Sequence, residues 1–248
     1  MGANSSTSTD LKYKVVELNN KDAEQYMGTW FEISVKSGLV REGKIESCCL
    51  GAIASYDDWV SDDIWKNEIR PKLIAANPNI SQDELNKLLM TEYNKVINKF
   101  SISNYCIFKR EDDNTLDWRC QIGKGEKFSD LYARFLVTFN EQMEDMTFQN
   151  FLKGLGGDYL IVELVSPTDS QNGYSVVYGG TSEYFWILSR NPEFSLTDKF
   201  KKLQETYKDQ LVDSLIRDPQ VYKDFLTKPI KTECKTNLDI RENKKIKK

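Results

Sequence analysis

Histidine is missing from all 248 residues of the chain. That absence removes Ser-His-Asp and Cys-His nucleophiles, His-ligated zinc and the usual proton shuttle together. An enzyme built on this sequence has only carboxylate, lysine, tyrosine or unassisted thiol chemistry, so a non-enzymatic role and no cofactor are expected. No stretch approaches the roughly 20 apolar residues that a membrane-spanning helix needs. A basic excess is lacking too: the formal net charge is −4, with 29% charged residues, which offers no field for nucleic acid. The 5 cysteines, Cys48, Cys49, Cys106, Cys120 and Cys234, show no Cys-x-x-Cys spacing, so no structural metal site is expected. An odd number leaves at least one unpaired, and the vicinal Cys48 and Cys49 are poor partners for each other.

What is present concentrates between Gly173 and Pro192. Two apolar segments, Tyr174–Tyr178 and Tyr184–Leu188, flank the polar link Gly179–Glu183, a β-hairpin pattern. Trp186, Leu188 and Arg190 share one face of the second strand. An arginine on an apolar face needs a partner, and a guanidinium is satisfied by stacking on an indole and by donating to carbonyls. Trp30 is the candidate, at the start of a strand entered through Gly28.

Further strands are expected at Asn104–Lys109, Thr115–Ile122, Leu131–Phe139, Thr147–Leu152 and Asp158–Val165. With the strand at Trp30 and the hairpin they make eight, the number that closes a small barrel around one ligand. Between Leu39 and Ser101 the pattern turns helical. Ser81-Gln82-Asp83-Glu84 is a capping box, followed by Leu85, Leu88, Leu89, Val96 and Phe100 at helical spacing. A shorter helix from about Asp57 to Arg70 should end at Pro71. After the barrel, Ser195-Leu196-Thr197-Asp198 caps a helix whose stripe is Phe200, Leu203, Tyr207, Leu211 and Leu215.

A Gly-x-Trp near the start (Gly28, Trp30), a Trp-Ile-Leu-x-Arg near the end (Trp186 to Arg190) and a helix beyond it together resemble the lipocalins. The run Phe185 to Pro192 is most similar to the apolipoprotein D and bacterial branch. The family's Thr-Asp-Tyr turn is altered here, because Thr168-Asp169 is followed by four residues before Tyr174. The likeness spans about two thirds of the chain. It implies a mainly β fold: an eight-stranded antiparallel up-and-down barrel of the calycin type, with a C-terminal helix and a helical insertion between the first and second strands. The expected divisions are a disordered leader at 1–12, a barrel domain at 13–236 with the insertion at about 39–101, and a basic tail at 237–248.

The resemblance further implies that Arg190 packs across Trp30 at the closed end, and that Trp186 faces a small hydrophobic or amphipathic ligand such as a lipid, fatty acid or isoprenoid. Tyr174, Tyr178 and Tyr132 join it as ligand-facing candidates if their strand faces point inward. A disulfide from Cys106 or Cys120 to Cys234 is implied as well. The insertion is expected either to cover the mouth as a lid or to dock a protein partner. An alternative function is a lipid isomerase using a strand cysteine; another is a scaffold on a virion or membrane surface. Met1-Gly2-Ala3-Asn4-Ser5-Ser6 fits a myristoylation pattern at Gly2, and a single acyl chain would associate weakly with a membrane. Met1–Asp10 has no apolar signal core, so an intracellular or membrane-associated location, or a virion, is expected.

Overall fold

The computed structural model describes residues 13–20, 22–36, 49–109, 115–128, 131–138, 157–166, 173–179 and 184–227. Eight antiparallel strands follow one another around a closed cylinder: β1 (Gly28–Lys36), β2 (Gly51–Asp57), β3 (Lys99–Lys109), β4 (Leu116–Lys127), β5 (Arg134–Thr138), β6 (Gly157–Val165), β7 (Tyr174–Tyr178) and β8 (Phe185–Ser189). Each pairs with its sequence neighbour, and β8 returns to β1, which also pairs with β2. Closure pairs each of these eight strands with a neighbour on both sides, which limits the sheet edge open to aggregation. This is the antiparallel up-and-down barrel expected from the sequence.

The barrel's seam has an additional part. The first half of β1 pairs with β2, from Gly28 opposite Tyr56 to Phe31 opposite Ile53. Beyond that the two diverge, and Ser34 and Val35 pair instead with a short ninth strand, β9 (Leu215–Ile216). The backbone N–H of Arg217 continues this pairing by donating to the Ile33 carbonyl at 2.9 Å. The chain after the barrel therefore fills the seam.

Sequence and structure differ over which strands make eight. The segment Gly51–Asp57 is a strand that the periodicity did not flag, because its alternate residues Ala52 and Ala54 are too small to register as an apolar face. The expected strand Thr147–Leu152 lies outside the described residues, as do the turns around Asn114 and Thr168-Asp169, the leader with Gly2, Cys48, Cys234 and the basic tail. The helical insertion consequently occupies the connection between the second and third strands rather than the first and second. That connection joins the end of β2 to the start of β3, the same end of the barrel as Trp30, Gly28 and Arg190. The insertion thus sits at the base, and the expectation of a lid over the mouth is corrected by this strand count.

Within the insertion, α1 (Asp62–Ile64) is capped by Ser61, whose Oγ accepts from the Ile64 N–H. It runs through a π-helical turn, Trp65–Ile69, into α2 (Arg70–Ala76). Pro71 does not end the helix as expected. A proline in a helix interior clashes with the carbonyl four residues back; here the preceding turn widens, with Arg70 N–H bonding five residues back to Trp65 O, and the helix passes through. The capping box at Ser81 and Glu84 forms as read and starts α3 (Gln82–Val96), which has no buried residue. Its stripe stops short of Phe100, because Asn98 takes a positive φ of 55° and turns the chain into β3.

The helix after the barrel is α4 (Asp198–Thr206), capped by Thr197, followed by a break at Tyr207 and α5 (Lys208–Leu211). The stripe fails at Leu215, which is drawn into β9. Phe200, Leu203 and Tyr207 pack on the outer face of the barrel, where Phe185 lies 5.3 Å from Tyr207 between ring centroids. A last helix, α6 (Pro219–Leu226), brings Tyr222 against Phe31, with centroids 5.2 Å apart.

Gly125 shows how tightly the lower interior is filled. It lies directly across from Phe100, and a Cβ there would stand 2.0 Å from Phe100 Cζ. Gly125→Ala is expected to lower stability by about 1–3 kcal/mol through overpacking. Urea unfolding checks this, and a wild-type midpoint would contradict it.

Candidate functional site

The period-2 rule sorts the strand residues by face. Trp30, Ala54, Asn104 and Gln121 are successive cross-strand partners, and all but Trp30 line an interior cavity of ≈ 520 Å³. Small Ala52 and Ala54 leave the space open, while Ile102, Val137 and Leu188 supply apolar wall. Glu32, Asn104 and Gln121 are the polar insertions, and Tyr56 and Tyr159 reach the cavity from below. Apolar walls with a few placed polar groups are the usual composition of a small-molecule site.

The base is sealed by stacked aromatic groups. A 3-10 turn, Asp22–Tyr26, lays the Tyr26 ring on Trp30 with centroids 5.0 Å apart, and Trp30 Nε1 donates to Tyr26 O at 2.8 Å. On the outer side of the indole, the Arg190 guanidinium carbon stands 3.8 Å from the ring centroid. Its Nη1 donates to Thr29 O at 2.7 Å and its Nη2 to Met27 O at 2.5 Å and Tyr26 O at 3.3 Å. Gly28 is required by this packing: its φ is 96°, and a Cβ would stand 3.0 Å from Arg190 Nη1. The sequence-expected contact between Trp30 and Arg190 is therefore present, with Gly28 as its third member.

Above Trp30, three phenols meet. Tyr26 and Tyr159 hydroxyls are 2.5 Å apart, and Tyr56 and Tyr159 hydroxyls 3.0 Å. Burial pushes the pKa of Tyr26 and Tyr159 well above the ordinary phenol value and that of Tyr56 up to about 12. A phenol whose folded pKa exceeds its unfolded one stabilises the fold fully below the unfolded value near pH 10. That contribution is lost as pH rises through the folded value, about 12 for Tyr56. Alkaline titration followed by tyrosinate absorbance is expected to leave these three silent until the barrel unfolds. Titration of all 12 tyrosines with the fold intact would contradict this.

Of the other sequence candidates, Trp186 lines the cavity, its ring 6.2 Å from Tyr159 and nearly parallel to it. Tyr174 and Tyr178 do not. Ser175 and Val177 have the inward positions on β7, as cross-strand partners of Leu188 and Trp186. Tyr174 instead stacks on Phe194 at 5.2 Å, with its hydroxyl on Glu163, and Tyr178 lies 5.6 Å from Tyr13. The physical reason is that Phe194 and Tyr13, packed on the outside of the barrel, need aromatic faces to bury against, and β7 gives them the tyrosines. Tyr132 is 43% exposed in a bridge to Glu17 outside the cylinder, and Arg134 beside it pairs with Asp158.

Cysteine placement is mixed. Cys106 and Cys120 both border the cavity. Cys120 is the one held in a disulfide, while Cys49 and Cys106 carry thiols. A hydrogen bond with Cys106, then burial, push the Cys49 thiol well above its ordinary range.

Sequence reasoning missed the Glu32–Arg217 pair. Glu32 points from β1 into the cavity wall, and Arg217 enters through the seam, its Nε and Nη2 donating to Glu32 Oε1 at 2.8 and 2.6 Å. Nη1 donates to Cys49 O. Burial acts to lower the Arg217 pKa, but the adjacent carboxylate outweighs it and holds the group above the ordinary guanidinium value. Tyr222 adds its hydroxyl to Glu32 O and accepts from Ala52 N–H at 3.2 Å. A lone arginine in a polar C-terminal stretch carries no sequence signal for such a role.

Among the described residues, no group of three or more acidic or cysteine side chains stands ready for a metal ion, and no helix is long and apolar enough to cross a membrane. The chain matches no protein-family model and no curated protein sequence. Among solved structures it is similar to insecticyanin from the tobacco hornworm Manduca sexta, at 14% identity. That alignment covers 83% of this chain and 84% of the other, with a TM-score of 0.40. The barrel assignment rests on the strand pairing, independently of that likeness.

Proposed function

We propose that this protein binds and carries one small hydrophobic or amphipathic molecule inside the barrel. The observation that carries the reading is the ≈ 520 Å³ cavity, walled by Ile102, Val137 and Leu188 and floored by phenols above a sealed base. Affinity comes from moving apolar ligand surface out of water, about 25 cal/mol per Å² before entropy costs. Trp186 supplies a flat apolar contact, and a lipid, fatty acid or isoprenoid suits such a volume. The run from Phe185 to Pro192 supports placing the chain in the apolipoprotein D and bacterial branch of the lipocalins.

Mass spectrometry of organic extracts of the purified protein tests this reading, with one apolar molecule per chain expected. Ala54→Trp supplies the control, because a large side chain at that inward, small position occupies cavity space. The variant is expected to fold and to lose ligand at least tenfold. Undiminished ligand in this variant would contradict interior binding.

A second reading makes the barrel a scaffold that docks a protein through the insertion. It is favoured by the position of α3 at the base, away from the mouth, with no residue buried. Native mass spectrometry showing an empty barrel with a stoichiometric protein partner would support it.

A further inference from the structure

Two thiols meet where the seam reaches the cavity wall, and ligand carriage makes no use of either. Cys49 is buried just ahead of β2, and its carbonyl accepts from Arg217 Nη1. Its side chain bends along the chain, with Sγ donating to Gly51 O at 3.3 Å. The next residue, Ala52, has Cys106 as its cross-strand partner, and both of these line the cavity. Leu50 N–H donates to Ile107 O at 2.7 Å and draws the start of β2 onto that part of β3. The Cys49 and Cys106 thiols are thereby joined by a hydrogen bond, and neither belongs to a disulfide.

The two differ in access. Cys106 is half-buried and borders the ≈ 520 Å³ cavity, so a solute inside the barrel reaches its sulfur. Cys49 is the buried member, on the seam side, and its hydrogen bond with Cys106 and its burial both favour the protonated thiol. An accessible thiol backed by a second thiol in contact is the arrangement in which oxidation stops at a disulfide instead of running on to the sulfinic acid. Bond formation requires the sulfurs to close to about 2.05 Å. The β2–β3 register begins at Gly51, so Cys49 has no ladder partner to fix its position.

We infer that Cys49 and Cys106 are a peroxide-sensitive dithiol in the cavity wall, with Cys106 as the attacking thiol and Cys49 as the resolving one. The Cys106 thiolate takes one oxygen from the peroxide, the O–O bond breaks, and water leaves as Cys106 becomes a sulfenic acid. The Cys49 sulfur then displaces that hydroxyl as a second water. Two S–H bonds are lost and one S–S bond is made, while the peroxide is reduced to two waters. The disulfide ties the start of β2 to β3 beside the seam, and the loop it closes contains the whole helical insertion. Because Cys106 faces the cavity, a ligand held there shields it from the oxidant.

The test treats the full chain with equimolar hydrogen peroxide at neutral pH, then quenches with acid, alkylates and maps the peptides by mass spectrometry. A loss of two hydrogens is expected, with a Cys49–Cys106 cross-link that dithiothreitol reverses. Fragment ions separate Cys49 from its neighbour Cys48, and the Cys120 disulfide should be unchanged. In Cys49→Ser, Cys106 is expected to stop at the sulfenic acid and take up dimedone; in Cys106→Ser, Cys49 is expected to stay a thiol. Saturating 2-ethylnaphthalene should slow oxidation of the wild type about fivefold or more, since oxidation follows access. Full alkylation of both thiols after peroxide, or a cross-link from Cys106 to any other cysteine, overturns the inference and leaves the carrier reading intact. An unchanged rate with the probe bound inside the barrel overturns the entry of oxidant through the cavity, and with it the assigned order of the thiols. Should the probe not bind at all, the carrier reading fails and the cross-link map still decides the dithiol. If either serine variant does not fold, the wild-type map decides alone.

Discussion

Arg190→Ala is expected to lower the stability of the barrel by about 3–5 kcal/mol, the largest loss from any single truncation at the base. Hydrogen bonds to a charged donor contribute about 1.5–3 kcal/mol each, and a partly buried guanidinium over an indole adds roughly 0.5–2 kcal/mol. The substitution removes the stack on Trp30 and leaves the carbonyls of Met27 and Thr29 without their donor. These carbonyls belong to the entry into β1, so the loss falls on the strand that closes the cylinder on both sides. Arg190→Lys should recover only a small part, because an ammonium cannot span several carbonyls while lying flat on the ring. Guanidinium chloride unfolding measures both, and a loss below about 1 kcal/mol for the alanine variant would show that the seal is incidental.

Arg217→Met is the second large effect, expected at about 3–5 kcal/mol, because removing one member of a buried ion pair strands the other. The side chains of Arg217 and Glu32 are only 3% and 13% exposed, so solvent does little to rescue the orphaned carboxylate. Combining Arg217→Met with Glu32→Met should be less destabilising than Arg217→Met alone, since two apolar side chains leave no buried charge. If the double variant is worse than the single one, the pair owes its effect to shape rather than charge, contrary to this account. The pair also joins the seam to the cavity, so Arg217→Met should weaken the pairing of β9 with β1.

Much of the base was legible because its residues are large and chemically distinctive. An arginine in register with a tryptophan and a leucine demands a partner, and few residues can supply one. The glycine two residues before Trp30 makes sense only when Arg190 is seen 3.0 Å from where its Cβ would be. The capping box at Ser81 and Glu84 was equally plain, since it is a local arrangement with a fixed spacing.

Other parts were illegible for specific physical reasons. The second strand is built on Ala52 and Ala54, which must be small to leave a cavity, and small residues erase the alternation by which strands are read. Missing it misplaced the helical insertion by one connection, and with it moved the insertion from base to mouth. On β7 both faces are buried: one holds Ser175 and Val177 against the interior, the other Tyr174, Val176 and Tyr178 beneath segments outside the barrel that include Phe194 and Tyr13. A strand buried on both sides offers no contrast from which to choose the inward face. Arg217 and Tyr222 act across more than 160 residues of sequence separation, which no local pattern encodes.

A carrier role requires an enclosed interior that a ligand enters. Intermolecular NOEs from 2-ethylnaphthalene to the intact protein test this directly. The ring protons should contact the methyls of Ile102, Val137 and Leu188 and the Trp186 indole, at one ligand per chain. Contacts confined to outer-face residues such as Leu196 and Val212, or none at all, would contradict it.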